Sequence, residues 1–182
     1  MAGEIIVIKR KVIRASAKKK SLPDVEFDNI SWAIKARSHD ETRNTICFIL
    51  IEDNKVIASN GGVLCISKIT QEYPSGCYDV LLASWRLIVL EKVDAKFPEY
   101  DSLIPSDIPE VTGEINGDFT SFLSQVYRLA SYDIKYLKMV FMDEQFFFEY
   151  REGEKPLKPL VLKNIGGDNW TRMAFVMPRL ER

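Results

Sequence analysis

Few side chains in this sequence have the type and spacing needed for covalent chemistry. His39 is the only histidine, and it falls at the end of a predicted helix, where an imidazole commonly meets the C-terminal carbonyls. A Ser-His-Asp arrangement would have to use it, yet no serine sits in a G-x-S-x-G turn. There is no HExxH and no glycine loop ending in Lys-Ser/Thr. Gly61-Gly62 lacks the lysine and the following helix that a phosphate cradle requires, and reads as a turn. The carboxylates are scattered, with no pair set apart as general acid and base. Cys47, Cys65 and Cys77 are odd in number, form no CxxC and lie among apolar neighbours, as reduced core thiols do. No metal, cofactor or catalytic role is expected. Recognition remains. Met177, Pro178, Leu180, Val63, Leu64, Pro98 and Leu103 could form an apolar depression, and Gly61 and Gly62 would let a ligand backbone approach closely because no Cβ intervenes. Such a site takes a short extended peptide with one or two bulky apolar anchors, and a methionine wall adapts to several.

A second chemistry is electrostatic. Residues 1–22 hold seven basic side chains (Lys9, Arg10, Lys11, Arg14, Lys18, Lys19, Lys20) against Glu4, whereas the remainder holds 18 basic and 25 acidic ones. A basic arm on an acidic body suits contact with a polyanion at one end. It does not suit a protein that coats nucleic acid over its whole surface.

The elements that must position these groups are legible in outline. At 182 residues, 46% apolar and 28% charged, the chain is sized for one well-buried globular domain or two very small ones. No apolar run spans a bilayer and the basic N-terminus lacks a signal-peptide core, so a cytoplasmic protein without membrane association is expected. Glu4–Ile13 has strand composition, and Ala15–Pro23 reads as a connector. Asp28 is the predicted cap of a first helix carrying Ile30, Ala33, Ile34 and Arg37 and ending near Ser38-His39. Thr45–Glu52, apolar on both faces, predicts a central strand. An Asp53-Asn54 turn, Lys55–Ala58 and Val63–Ile69 follow. After the Tyr73–Gly76 turn come Cys77–Leu82 and Trp85–Lys92. Phe97–Pro109, with three prolines, is a connector. Val111–Asn116 predicts a strand, and Asp118 caps a second helix with Phe119, Phe122, Leu123, Val126 and Ala130 on one face. Strands are predicted over Ile134–Met142, Gln145–Tyr150, Pro159–Leu162 and Arg172–Pro178, with a turn at Gly166–Asn169.

The order strand, helix, strands occurs twice, an architectural duplication without a sequence repeat. Two amphipathic helices on one face of antiparallel sheet make an α+β domain. The outward helix faces, Ser31, Lys35 and Ser38 on the first and Ser121, Ser124, Gln125 and Arg128 on the second, carry no acid. They suit loose, sequence-independent phosphate contact.

Three segments carry a family resemblance. Ala36-Arg37-Ser38-His39-Asp40-Glu41-Thr42-Arg43 leads through two strands to Ser59-Asn60-Gly61-Gly62-Val63-Leu64; Phe97-Pro98-Glu99-Tyr100-Asp101-Ser102-Leu103-Ile104-Pro105 follows, and Val176-Met177-Pro178-Arg179-Leu180 ends the chain. In order and identity these resemble the bacterial DNA polymerase III β subunit, the β sliding clamp. That family carries Ala-His-x-Asp-x-Arg, Thr-Asp-Gly-His-Arg-Leu, Phe-Pro-Asp-Tyr-x-x-x-x-Pro and Val-Met-Pro-Met-Arg-Leu. The resemblance covers roughly residues 27–105 and 111–180. It implies a clamp-type α+β domain over residues 23–182, made of two β-α-β halves joined by the 97–109 connector, with residues 1–22 as a basic arm. It implies a peptide-binding pocket from Ser59, Asn60, Gly61, Gly62, Val63, Leu64, Pro98, Ser102, Leu103, Phe175, Met177, Pro178 and Arg179. Lys9, Arg10, Lys11, Arg14, Lys35 and Arg128 would face double-stranded DNA. The implied partners are duplex DNA, clamp-binding peptide motifs of polymerases or repair factors, and further copies of the chain. The chain departs from the pattern: Gly62 and Val63 replace a His-Arg pair, Asp101-Ser102 replaces an arginine, one residue is missing beside Arg179, and a clamp protomer has about twice this length. The alternatives are a monomeric peptide-binding clamp mimic of phage or mobile-element type, and a small enzyme of unrecognised type.

Overall fold

The computed structural model describes residues 3–11, 13–14, 21–22, 24–101, 104, 111–115, 118–126, 132–141, 146–150, 159–164 and 170–178. Its strands are β1 (Ile5–Lys9), β2 (Ile13–Arg14), β3 (Ser21–Leu22), β4 (Ile49–Glu52), β5 (Lys55–Ser59), β6 (Val63–Lys68), β7 (Gly76–Ala83), β8 (Leu87–Val93), β9 (Val111–Ile115), β10 (Phe146–Tyr150), β11 (Leu160–Lys163) and β12 (Arg172–Val176). Its α-helices are α1 (Val25–Ile34), α2 (Phe119–Val126) and α3 (Ile134–Val140), and Glu41–Ile46 forms a 3₁₀ stretch. Ten strands make one antiparallel sheet in the order β1-β8-β7-β4-β5-β6-β12-β11-β10-β9; β2 and β3 pair separately. The fold is the expected α+β architecture.

The sheet order is nearly symmetric about the β6–β12 pair. On one side run β12, β11, β10 and β9; on the other run β6, β5 and β4, with the β7–β8 hairpin set between β4 and β1. Strand alternation then sorts side chains onto two faces. Val63 and Cys65 of β6, with Ala174 and Val176 of β12, join Phe27, Ile30, Ala33, Phe122, Leu137 and Val140 in the core beneath the helices. Leu64, Ile66, Met173 and Phe175 face the other way, under Phe97 and Tyr100. Asp53 and Asn54 both take positive φ (48° and 55°) in the β4–β5 turn, a conformation their short polar side chains tolerate.

Three local expectations need correction. Helix α1 begins four residues earlier than predicted: Asp24 is the cap, and its carboxylate accepts from the Phe27 N–H (3.3 Å) and the Lys11 N–H (2.6 Å). Asp28 is inside the helix and pairs with Arg10. Ile134–Val140 is helical where a strand was expected, because Asp133 caps it by accepting from the Lys135 N–H, and Leu137 and Val140, one turn apart, are buried. Of Thr45–Glu52 only Ile49–Glu52 is strand, though β4 is central, between β5 and β7. Asp118 does lead α2, accepting from the Ser121 N–H at 2.9 Å. The Gly166–Asn169 turn lies outside the described residues.

Candidate peptide site and polyanion-facing concavity

The turn between β5 and β6 is held by its own side chains. Ser59 Oγ donates to the Val63 carbonyl (2.9 Å) and accepts from the Gly61 N–H (3.1 Å). Asn60 Oδ1 accepts from the N–H groups of Gly62 (2.9 Å) and Val63 (3.1 Å), so the turn is closed at both ends. Gly61 has φ +85° and is exposed, a conformation glycine adopts without steric cost. Arg43 reaches over it, donating to the Asn60 carbonyl at 3.4 Å.

Gly62 is the glycine of greater consequence. A Cβ there would lie 2.2–2.6 Å from the Tyr136 ring edge and hydroxyl, so the phenol occupies the space of the missing side chain. Helix α3 brings Tyr136 over the turn where a larger side chain would stand, and Met139 comes with it, its sulfur 3.9 Å from Asn60 Nδ2. Neither residue was singled out from sequence, because their segment reads equally well as a strand.

The chain's tail docks on the same turn. The Met177 N–H donates to the Gly62 carbonyl at 2.9 Å, carrying the β6–β12 ladder one bond further. Pro178 bridges to Tyr132. Met177 and Pro178 are half-buried. The structure therefore brings Ser59, Asn60, Gly61, Gly62, Met177 and Pro178 together. Val63 and Leu64 are both buried but point to opposite faces; only Leu64 shares a cluster with Phe175. These two are floor, almost closed to solvent.

The aromatic-proline segment covers that floor. Phe97 and Tyr100 are buried against the Leu64–Phe175 cluster and meet edge to face at 6.5 Å, while Pro98 is exposed. The Tyr100 hydroxyl donates to Glu52 Oε1 at 2.6 Å. Burial, together with the acceptor carboxylate of Glu52, raises the Tyr100 hydroxyl above the ordinary tyrosine range. Ser102, Leu103 and Arg179 lie outside the described residues.

The basic residues divide. A concavity of about 860 Å³ crosses the solvent side of α1, bordered by Arg10, Lys35, Arg37, His39, Trp85 and Arg172. Arg10 and Lys35 thus share one surface. Lys9 and Lys11 instead border a smaller hollow with Asp24 and Glu26. Arg14 belongs to β2, and Arg128 lies outside the described residues. Ser31 is half-buried and Lys35 exposed, but Ser38 is turned inward, its Oγ accepting from the Asp40 N–H. On α2, Ser124 is exposed and Ser121 half-buried. Arg37 and Arg172 were not foreseen as members of this surface. Their signal was present only as cations within predicted elements, Arg37 in the first helix and Arg172 at the start of the last strand.

Cys65 is buried on the helix side and Cys77 on the opposite side of the sheet, with both thiols raised by burial. No group of three or more metal-ligating side chains occurs among the described residues, and no described helix is long and apolar enough to cross a membrane.

No family model and no curated protein matches the chain. Solved structures do. Over 100% of its length the chain matches the DNA polymerase III β chain of Streptococcus pneumoniae TIGR4 at 10% identity and TM-score 0.61, covering 66% of that chain. The DNA polymerase sliding clamp of Bacillus subtilis matches over 99% of this chain and 65% of its own, at 13% identity and TM-score 0.58. DNA polymerase III subunit β of Borrelia burgdorferi, solved with a natural product, matches over 100% and 65%, at 14% identity and TM-score 0.59. The chain has the sliding-clamp fold. It spans about two thirds of the length of these clamps, and the resemblance read from its sequence extends to its three-dimensional structure.

Proposed function

We propose that this chain is a non-catalytic, clamp-type accessory protein of DNA replication or repair. It holds partner proteins on duplex DNA by gripping a short peptide at the Gly61-Gly62 turn and the Met177-Pro178 tail. The observation that carries this reading is the docking of that tail on that turn, through Met177 N–H and the Gly62 carbonyl, within a sliding-clamp fold. Fold alone does not define a function; here the fold and the local chemistry agree. The turn offers a glycine edge, the tail a methionine and a proline, and the floor beneath is apolar.

In the same reading the α1 side faces DNA phosphates through Arg10, Lys35 and Arg37, the basic arm over residues 1–22 adds to it, and the work is cytoplasmic. The chain acts as a homo-oligomer. Among the described residues the sheet ends at β1 and β9, and Ile5 and Val7 on β1 are more than half exposed. Such an edge pairs readily with another copy.

The test combines size and DNA binding. Light scattering after gel filtration is expected to give a discrete oligomer. Duplex binding is expected to be sequence-independent and to weaken steeply as salt rises. A strict monomer at high concentration would contradict the homo-oligomer while leaving the peptide site standing. Duplex binding unchanged by Lys35→Glu with Arg37→Glu would contradict the DNA-facing assignment.

A further inference from the structure

The tip of the β7–β8 hairpin is built as a platform. Its residues are Ser84, Trp85 and Arg86, and Trp85 is 67% exposed. Tryptophan is highly buried on average, so one standing this far into solvent presents an uncovered aromatic face. Hydrogen bonds pin the tip that carries it. Ser84 Oγ accepts from the Leu87 N–H at 3.1 Å and donates to the Leu87 carbonyl at 3.0 Å. Arg10, 75 residues away in sequence, donates from Nε to the Trp85 carbonyl at 2.7 Å and from its backbone N–H to the Arg86 carbonyl at 2.9 Å. The same guanidinium binds Asp28 of α1 at 2.5 Å and lies over the Phe27 ring. One side chain thus locks the hairpin tip to the helix.

The indole stands at the rim of the concavity across α1. Among the described residues the ionisable groups lining that concavity are Arg10, Lys35, Arg37, Arg172, His39 and Asp28, and the one carboxylate of these is already held by Arg10. In a chain whose net charge is −1, this is a local excess of cations, complementary to a phosphate backbone. Arg86 covers one face of the indole, 3.8 Å from the ring centroid, which makes the ring a more electropositive stacking partner. Leu81 and Leu82 add exposed apolar surface alongside. A register shift between Val80 and Leu82 marks a β-bulge where the strand nears the tip, the kind of irregularity that re-aims side chains.

We infer that Trp85 is a stacking platform for an unpaired nucleobase, and that the cationic concavity beside it tracks the phosphates of single-stranded DNA. A blunt duplex keeps its bases stacked internally and could use the cations but not the indole. The inference rests on the reading that the α1 side meets nucleic acid, and it adds an unpaired strand to the duplex that this surface takes.

The test measures anisotropy of a labelled 12-nucleotide oligothymidine, a blunt duplex of the same length and a poly-glutamate peptide, each with the full chain at one fixed low salt concentration. Base stacking on an aromatic side chain contributes about 1–3 kcal/mol per base. Trp85→Ala is therefore expected to weaken the single strand roughly 5- to 150-fold while changing the duplex less than about threefold. Trp85→Phe should recover most of the loss, and Arg37→Glu should weaken both substrates. Single-strand affinity that survives Trp85→Ala within about twofold, or that falls equally with the duplex, overturns the platform and leaves the DNA-facing reading intact. Binding of neither DNA overturns both. Poly-glutamate held as tightly as oligothymidine assigns the surface to acidic proteins and also overturns both.

Discussion

Phe175→Ala is expected to lower the unfolding free energy by about 3–5 kcal/mol, the range for removing a buried aromatic ring. Phe175 lies on β12, where the two sides of the sheet join, opposite Leu64 of β6 and Val161 of β11. Its side chain is 1% exposed and packs in the cluster that Phe97 and Tyr100 cover. The ring is too large for its neighbours to close over, because strands on both sides hold β12 in place. The loss would be a large share of the roughly 5–15 kcal/mol that stabilises an ordinary domain. Urea unfolding followed by far-UV circular dichroism should show a lower midpoint at unchanged slope. A loss below about 1 kcal/mol would mean that the floor beneath the candidate peptide site is not packed as described. For the same reason Leu64, also almost fully buried, is unsuitable for probing peptide contact: its truncation would damage the floor before it reported on a ligand.

Asp24→Ala is expected to cost about 2–4 kcal/mol, from the lost cap and from a Lys11 N–H left without its acceptor. One oxygen of Asp24 caps α1 through the Phe27 N–H and the other holds the backbone at Lys11. The carboxylate therefore ties the basic strand end to the helix that borders the concavity. Asp24→Asn keeps an acceptor oxygen and should lose only about a third to a half as much. Thermal unfolding checks the size of the effect. Duplex binding at a temperature where both variants remain folded checks its consequence: Asp24→Ala should weaken binding through loss of alignment between Arg10 and Lys35. Equal stability of the alanine variant and the parent chain would show that the Lys11 contact contributes nothing.

Asp24 also marks where reading the sequence stops being sufficient. The sequence pointed to Asp28 as the cap, at the head of the apolar residues at helical spacing. Asp24 caps the helix and also accepts from the Lys11 N–H, thirteen residues away, a contact that no local pattern reveals. Ile134–Val140 is ambiguous for another reason. Its apolar residues fit both a period of two and a period near 3.6, and packing of Leu137 and Val140 on the sheet decides for a helix. Where the signal is local, it was sufficient. The Asp53-Asn54 turn and strand β6 needed no distant partner to be recognised, and Asp118 ahead of α2 was equally plain. Sheet order was not legible, since nothing in β7 or β8 says that the hairpin inserts between β1 and β4.

The candidate site divides along the same line. Gly61-Gly62 and Met177-Pro178 were recognisable because their residue types are unusual and their order matches a known pattern. Tyr136 over Gly62 was not, because it arrives on a helix where the sequence reading predicted a strand. Trp85 was placed only as the start of a strand. Its position on a locked tip depends on Arg10, and a contact across 75 residues has no local signature.

The most direct test of the central claim is a titration of a fluorescent Gln-x-x-Leu-Phe peptide against the intact chain, its Met177→Ala variant and its Lys35→Glu variant. Met177 is half-buried at the surface of the site, so its truncation removes an apolar contact while sparing the packed floor. Loss of one such contact is worth about 1–2 kcal/mol, or roughly 5- to 30-fold in affinity. The account predicts saturable binding by the parent chain, binding weakened to that extent by Met177→Ala, and binding unchanged by Lys35→Glu. No saturable binding at high micromolar protein, or binding indifferent to Met177→Ala, would contradict it.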